Sequence, residues 1–193
     1  MIQLLIARHG NTFDKGDTIL RVGSGTDLPL SQSGQLQAKA LGDYLKENHP
    51  QISAVYTSHL KRTIQTAEIA LHQMQLSLPT IKHSLFNEVN YGPDEGKPEN
   101  DVTARLGNDA LEKWEKYNIV PEDWPIEPQA IKQGWIDFAS LAEREHPHQT
   151  ILIVTSNGIA RFAPNHAVKL STGAVSLLTV DAGKWQVEYT NHR

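Results

Sequence analysis

Residues Ile2 to Ala7 form a short, mostly apolar run without a turn-forming residue, and the polar stretch Arg8-His9-Gly10-Asn11-Thr12 comes straight after it. Such a run reads as a strand buried on both faces of a sheet, or as a piece of buried helix. As a strand, it would place a cation, an imidazole and a glycine at its carboxyl end. Open α/β sheets put their ligand crevice there. A tripeptide alone constrains little, so its weight depends on the other polar motifs of the chain.

Residues 14–30 read as a polar loop with Gly16, Gly23, Gly25 and Pro29, and a loop of that length in a compact domain is functional or mobile. Ser31 and Ser33 are both candidate N-caps for a helix. Its apolar face is Leu36, Ala40, Leu41, Tyr44 and Leu45, and it ends near His49–Pro50. Ile52 to Tyr56 reads as a second strand. A helix over 59–74 comes next, with Leu60, Ile64, Ala67, Ile69 and Leu71 facing inward, and then a short strand over 80–82. Two further helices are expected over 100–118 and 128–146, separated by a proline-rich linker. With Trp114, Trp124 and Trp135 they suggest a helical cap, roughly 93–146, packed on the sheet. Ile151 to Val154 is another buried-strand run. Ala174–Val180 and Trp185–Tyr189 flank the hairpin turn Asp181-Ala182-Gly183-Lys184. Strands alternating with helices predict a three-layer α/β sandwich, its central sheet mostly parallel with an antiparallel edge. Residues 1–193 are expected to form one domain.

Composition narrows the function classes. The chain has no cysteine, which excludes a disulfide framework, a thiol nucleophile and a cysteine-based zinc site, and leans toward the cytoplasm. A formal net charge of -4 argues against a general nucleic-acid partner but not against a small anion, which needs only a local cluster of cations. The first apolar run is too short for a signal-peptide core or a membrane span, so no membrane partner is expected. His146-Pro147-His148 has poor ligand spacing and no third donor nearby. It reads as a loop, and no metal or other cofactor is expected.

Three segments carry polar residues that could converge. The first is Arg8-His9-Gly10. The second is Ser58 to Ala67, which places Arg62 in the first turn of a helix, where free N–H groups and the helix dipole favour anions and the guanidinium offers a bidentate fork. The third is Glu88-Val89-Asn90-Tyr91-Gly92, followed by Pro93-Asp94-Glu95-Gly96. An imidazole, two guanidinium groups and a carboxylic acid are the parts that phosphoryl transfer needs: a nucleophile, charge neutralisation and a proton donor. Glu88 is favoured over Asp94 and Glu95, which read as a solvated acidic turn. Lys61, Lys97, Arg21 and Arg105 read as solvated side chains before they read as substrate contacts. Arg21 is the best further candidate for binding substrate, because its loop should border the crevice.

Taken together, Arg8-His9-Gly10, the Asp27-to-Ser31 segment with Gly34 and Gln37-Ala38, Ser58…Arg62…Gln65-Thr66-Ala67 and Glu88-to-Gly96 resemble the phosphoglycerate mutase-like histidine phosphatase superfamily, in its order and spacing. The resemblance covers most of the chain. It implies the family's three-layer fold, His9 as the phosphorylated nucleophile, Arg8 and Arg62 as phosphate clamps, and Glu88 as the proton donor. Asn11 stands where the family usually has Gln or Glu in contact with phosphate.

One departure stands out. The family's second histidine aligns with Ser156, within Thr155-Ser156-Asn157-Gly158. Exchanging a charged donor for a neutral one forfeits part of a hydrogen bond worth ~1.5–3 kcal/mol, roughly tenfold to a hundredfold in rate. Ser156 Oγ and the Asn157 amide can both donate in its place, and His166 could reach the site from the next loop. The expectation is a phosphatase acting on a small phosphorylated substrate through a phosphohistidine, with activity reduced by Ser156. The alternative is a weak or inactive relative that binds a phosphorylated ligand. A phosphoglycerate mutase is disfavoured, since the family's mutases are longer chains with more material over the site. Neither the substrate nor the oligomeric state is legible.

Overall fold

The computed structural model describes residues 1–193. In chain order it contains β1 (Ile2–Arg8), α1 (Gln32–Asn48), β2 (Ile52–Thr57), α2 (Lys61–Met74), β3 (Thr80–Lys82), α3 (Glu99–Leu106), α4 (Asn108–Tyr117), α5 (Pro128–Glu145), β4 (Thr150–Thr155), α6 (Asn157–Ala160), β5 (Val175–Asp181) and β6 (Lys184–His192). The six strands make one sheet in the order β3-β2-β4-β1-β5-β6. The first three neighbouring pairs are parallel, while β5 runs antiparallel to both β1 and β6. The mostly parallel sheet with an antiparallel edge is therefore present.

Strand alternation divides the core. Leu4 and Ile6 of β1, Ile151 and Ile153 of β4 and Leu178 and Val180 of β5 face the side covered by Trp135, Phe138 and Ala142 of α5. Leu5, Ala7, Leu152, Val154 and Leu177 face the opposite side, where Leu41 and Leu45 of α1 and Ala67, Ala70 and Leu71 of α2 cover them. A strand buried on both faces needs apolar side chains at successive positions, and this explains the near-continuous runs in β1 and β4. Trp114, Trp124 and Trp135 all belong to the α5-side cluster, so the helices over 99–145 share the core of the sheet. No helix is long and apolar enough to cross a membrane.

Two helical faces differ from the sequence expectation. Leu36 is 64% exposed, and the buried stripe of α1 is Gly34, Ala38, Leu41, Gly42 and Leu45. On α2 the buried set is Arg62, Thr63, Thr66, Ala67, Ala70, Leu71 and Met74, with Ile64 and Ile69 only half-buried. Close packing is the reason: a Cβ on Gly42 would lie 2.7 Å from the Ala70 carbonyl oxygen. The two helices come close where Gly42 meets Ala70, and Leu41, Leu45 and Leu71 pack in the same cluster. The helix expected over 100–118 is broken at Gly107, whose φ of +80° is open to glycine but not to most residues. His166 does not reach the crevice. It is fully buried, with ring nitrogens 3.0 Å from the Ala160 carbonyl and 2.9 Å from Ser176 Oγ. The His146 ring shares hydrogen bonds with the Tyr56 hydroxyl and Gln149.

The loop after β1 lies directly on the first turn of α1. Ser31 caps that helix by accepting from the Gly34 N–H, and a Cβ on Gly34 would fall 2.0 Å from the Asn11 carbonyl oxygen. Gly34→Ala is therefore expected to force backbone apart and cost about 1–3 kcal/mol. Gly25→Ala, whose Cβ would meet nothing closer than 3.6 Å, should be near neutral. Thermal denaturation of both variants checks this, and equal melting temperatures would contradict it.

Candidate active site

β1 and β4 lie side by side and end together, with Arg8 opposite Thr155. His9 continues the strand: its N–H donates to the Thr155 carbonyl and its own carbonyl accepts from Gly173. The next residue is tied to α2, where Thr66 Oγ1 accepts from the Gly10 N–H at 3.1 Å. The imidazole is thus fixed by backbone on both sides, and His9 is only 7% exposed.

Its tautomer is set by its neighbours. Nδ1 lies 2.7 Å from the Gly10 carbonyl oxygen, which can only accept, so Nδ1 carries the proton. Arg62 Nε lies 3.2 Å from Nε2, and a guanidinium can only donate, so Nε2 carries the lone pair. Burial, then Arg62, then Arg8 push the His9 pKa well below its ordinary value, against a smaller opposing effect of the Gly10 bond. The result is a neutral imidazole with a defined nucleophilic nitrogen.

Arg62 is wholly buried, and its other donors meet carbonyls of the long loop: Nη1 to Thr26 at 2.9 Å and Nη2 to Gly23 at 3.1 Å. Other residues of its segment hold the same loop. Gln65 Oε1 accepts from the Leu30 N–H, and Asp27 Oδ1 accepts from the Lys61 N–H. That last contact engages the first N–H of α2, so this helix end contributes the Arg62 side chain rather than an open anion site. Arg8 donates from Nη1 to the Leu170 carbonyl at 2.7 Å, while its buried Nε has no partner.

Glu88 comes just after a single 3-10 turn over Ser84–Phe86 that Thr155 Oγ1 ties to the end of β4 through the Phe86 carbonyl. The carboxyl is buried and accepts from the Val89 N–H at 2.9 Å, with the Gly158 N–H more distant at 3.5 Å. Burial raises its pKa, outweighing Arg62, the Val89 N–H and Arg8, which all favour the anion. It is the group in the site disposed to hold a proton.

A cavity of about 510 Å³ brings together Arg8, His9, Asn11, Arg21, Glu88 and Asn157. Asn157 Oδ1 accepts from the Leu170 N–H. Asn11 lines the cavity too, but both ends of its amide are engaged, Nδ2 with Ser33 Oγ and Oδ1 with Thr172 Oγ1. The second N–H of Nδ2 is the one amide donor left for a phosphate. Ser156 is fully buried and its Oγ has no hydrogen-bond partner, and Asn157 rather than Ser156 lines the cavity. Arg21 is held by Glu99, and its guanidinium carbon lies 5.0 Å from the Tyr91 ring centroid and 5.2 Å from that of Trp124.

The acidic turn is not solvated as expected. Asp94 is fully buried and binds Arg105 and the Trp124 indole. Glu95 accepts from Gly23, Thr26 and Tyr91, closing the long loop. Both serve the architecture, which leaves Glu88 as the one of these three carboxyl groups that lines the cavity with His9. Arg105 is likewise paired rather than solvated. Four further lining residues, Glu99, Glu115, Lys169 and Thr172, do not stand out in the sequence. They lie on α3, α4 and the connection to β5, in stretches whose only signal is ordinary surface charge.

Fold and site together define an α/β protein that gathers an imidazole, two guanidinium groups and a carboxyl group at one edge of its sheet. A family model described as the histidine phosphatase superfamily, branch 1, matches residues 4–193, and the chain belongs to that superfamily. A curated relative, the 2,3-bisphosphoglycerate-dependent phosphoglycerate mutase of Tropheryma whipplei, is 33% identical over 161 residues, which are 82% of this chain and 71% of the relative. Among solved structures, YhfR of Bacillus stearothermophilus superposes with a TM-score of 0.82 at 21% identity, over 100% of this chain and 98% of the other. The alpha-ribazole phosphatase of Shigella flexneri superposes with a TM-score of 0.73 at 26% identity, over 98% and 96% of the two chains.

The site makes a direct spectroscopic prediction. Nitrogen NMR of His9 should show a neutral, Nδ1-protonated ring that titrates well below pH 6.5, and Arg62→Ala should raise the midpoint by removing a neighbouring cation and admitting water. A midpoint at or above 6.5, or the opposite tautomer, would contradict the assignment.

Proposed function

We propose that the protein is an enzyme that hydrolyses a phosphomonoester through a phosphohistidine on His9. The observation that carries this reading is the juxtaposition of a neutral imidazole, its Nε2 lone pair fixed by two independent contacts, with a buried carboxyl group in one cavity. A site that only bound phosphate would have no use for either.

The substrate phosphoryl group would lie between Arg8 and Arg62, displacing Arg62 Nε from the histidine lone pair. Nε2 attacks phosphorus, and the new N–P bond forms as the P–O bond to the alcohol breaks. Glu88 gives its proton to the departing alkoxide. Water then attacks the phosphohistidine and yields its proton to the Glu88 carboxylate. The N–P bond breaks and inorganic phosphate leaves. The arginines neutralise charge on the non-bridging oxygens throughout. Asn157, its Oδ1 held by Leu170, supplies its Nδ2 donor from the position next to Ser156, with which the family's second histidine aligns. Arg21 lines the approach to the phosphate. Hydrolysis is favoured over mutase chemistry by the buried carboxyl group that shares the cavity with His9, and not by length, since the match covers 71% of the curated mutase but 93% of a solved phosphoglycerate mutase of Bacillus anthracis. The unpartnered Ser156 Oγ is what favours the second reading, a ligand-binding relative with little turnover. A cytoplasmic setting fits a chain without cysteine.

Released phosphate measures the proposal. His9→Ala should abolish turnover, and Glu88→Gln should slow esters of aliphatic alcohols by about 10²–10⁴-fold. It should scarcely affect kcat/KM for p-nitrophenyl phosphate, whose leaving group needs no proton, while the later hydrolysis of the phosphohistidine slows for both esters alike. Equal losses in kcat/KM on both esters would remove Glu88 from the donor role, and full activity in His9→Ala would overturn the proposal.

The pH profile of kcat/KM should be bell-shaped. Activity falls in acid as His9 protonates below its lowered pKa, and falls again as Glu88 ionises above its raised one. Glu88→Gln should remove the upper limb alone. Asn157→Ala should reduce kcat/KM roughly tenfold to a hundredfold, and wild-type rates in that variant would free Asn157 of any part.

A further inference from the structure

The walls of the cavity away from His9 have a charge arrangement that the phosphoryl chemistry does not use. Beyond Arg8 and Glu88, the lining carries three cations, Lys15, Arg21 and Lys169, and three anions, Asp14, Glu99 and Glu115. Two of the cations are already neutralised: Arg21 Nη2 lies 2.7 Å from Glu99 Oε2, and Lys169 Nζ lies 2.6 Å from Glu115 Oε2. Arg21 is also clamped against the rings of Tyr91 and Trp124, so it cannot swing to a new partner without losing that packing. Arg161, 3.9 Å from Glu115, donates to the backbone carbonyls of Trp114 and Glu115. Burial tends to raise the pKa of Glu115, but Lys169, Arg161 and Arg21 bring it below the ordinary value, so this carboxylate stays charged. Asp14 is occupied by the N–H groups of Gln32 and Ser33 at the start of α1. Lys15 is the one cation of the set without an ion pair, and it stands exposed in solvent.

We propose that the site selects phosphomonoesters whose alcohol part is uncharged and rich in hydroxyl groups, and discriminates against esters that carry a second anionic group. This rests on reading the cavity as a phosphomonoester site. On the α3 and α4 side of the cavity an added carboxylate or phosphate would have to lie beside Glu99 or Glu115, or break one of their ion pairs, and the one unpaired cation, Lys15, stands in solvent on the loop after β1. Like charges placed together in this way exclude wrong partners effectively. A hydroxyl group donates and accepts, so it can join both members of each pair without separating them. The arrangement belongs to this chain's own α3, α4 and β5 approach. It leaves Arg8 in the cavity wall and Arg62, hydrogen-bonded to His9, as the cations at the phosphate end, with exposed Lys15 the one other cation of the lining without an ion pair.

A matched pair of esters tests this: glycerol 3-phosphate and 3-phosphoglycerate, which differ by a hydroxymethyl group against a carboxylate. Calorimetric binding to the His9→Ala protein reads selectivity without turnover, and phosphate release by the wild type reads catalysis separately. The expected result is about tenfold tighter binding of glycerol 3-phosphate, with the ratio narrowing about threefold or more in His9→Ala proteins that also carry Glu115→Gln or Glu99→Gln. Equal or tighter binding of 3-phosphoglycerate, or a ratio unmoved by both substitutions, overturns the selectivity. Selective binding with no phosphate release from either ester would leave the selectivity standing and overturn the phosphatase reading. Failure of both esters to bind would remove the site on which the inference rests.

Discussion

The hydrogen bond from Arg62 Nε to His9 Nε2 is the interaction on which the rest of the site depends. A guanidinium with no exposed surface is costly unless each donor finds an acceptor. Here two of the acceptors are carbonyls of the long loop, Thr26 and Gly23, and the third is the imidazole itself. Each such charged bond is worth ~1.5–3 kcal/mol, so the loop over 14–30 has a strong reason to hold one shape. The same cation lowers the histidine pKa and offsets part of the effect of burial on Glu88. One arginine thereby sets the loop, the tautomer and the proton balance.

Much of this was legible in the sequence. The strand runs of β1, β2 and β4, the hairpin at Asp181–Lys184 and the place of Arg62 in the first turn of its helix are matters of local pattern, because a sheet buried on both faces imposes that pattern directly. The helix faces were harder to read. Hydrophobic periodicity weights large side chains, whereas Gly42 lies against Ala70 of α2 and Gly34 against the backbone of Asn11, small residues whose value lies in what they let approach. The break at Gly107 is hidden for a related reason: a single glycine in a helical pattern is ordinarily tolerated.

At the site, the residues that belong to compact segments could be found, and those that depend on tertiary pairing could not. His9, Arg62 and Glu88 come together as their segments suggested. Asp94 and Glu95 looked like a solvated turn because their partners, Arg105 and the loop at Gly23 and Thr26, lie 11 to 72 residues away in the chain. Glu99, Glu115 and Lys169 look like ordinary surface charge until α3, α4 and the approach to β5 are folded over the sheet. The groups at the centre of the site are thus written in motifs, and the charge pairs around them in contacts that form only with the fold.

The central claim is covalent chemistry at His9 Nε2, and the most direct measurement is rapid quenching of the wild-type protein with a phosphomonoester, then mass analysis of its peptides. The account predicts a single phosphoryl group on His9, stable in base, lost in acid, and absent from His9→Ala. Turnover with no phosphoenzyme at any quench time, or a phosphoryl group on another residue, would contradict it.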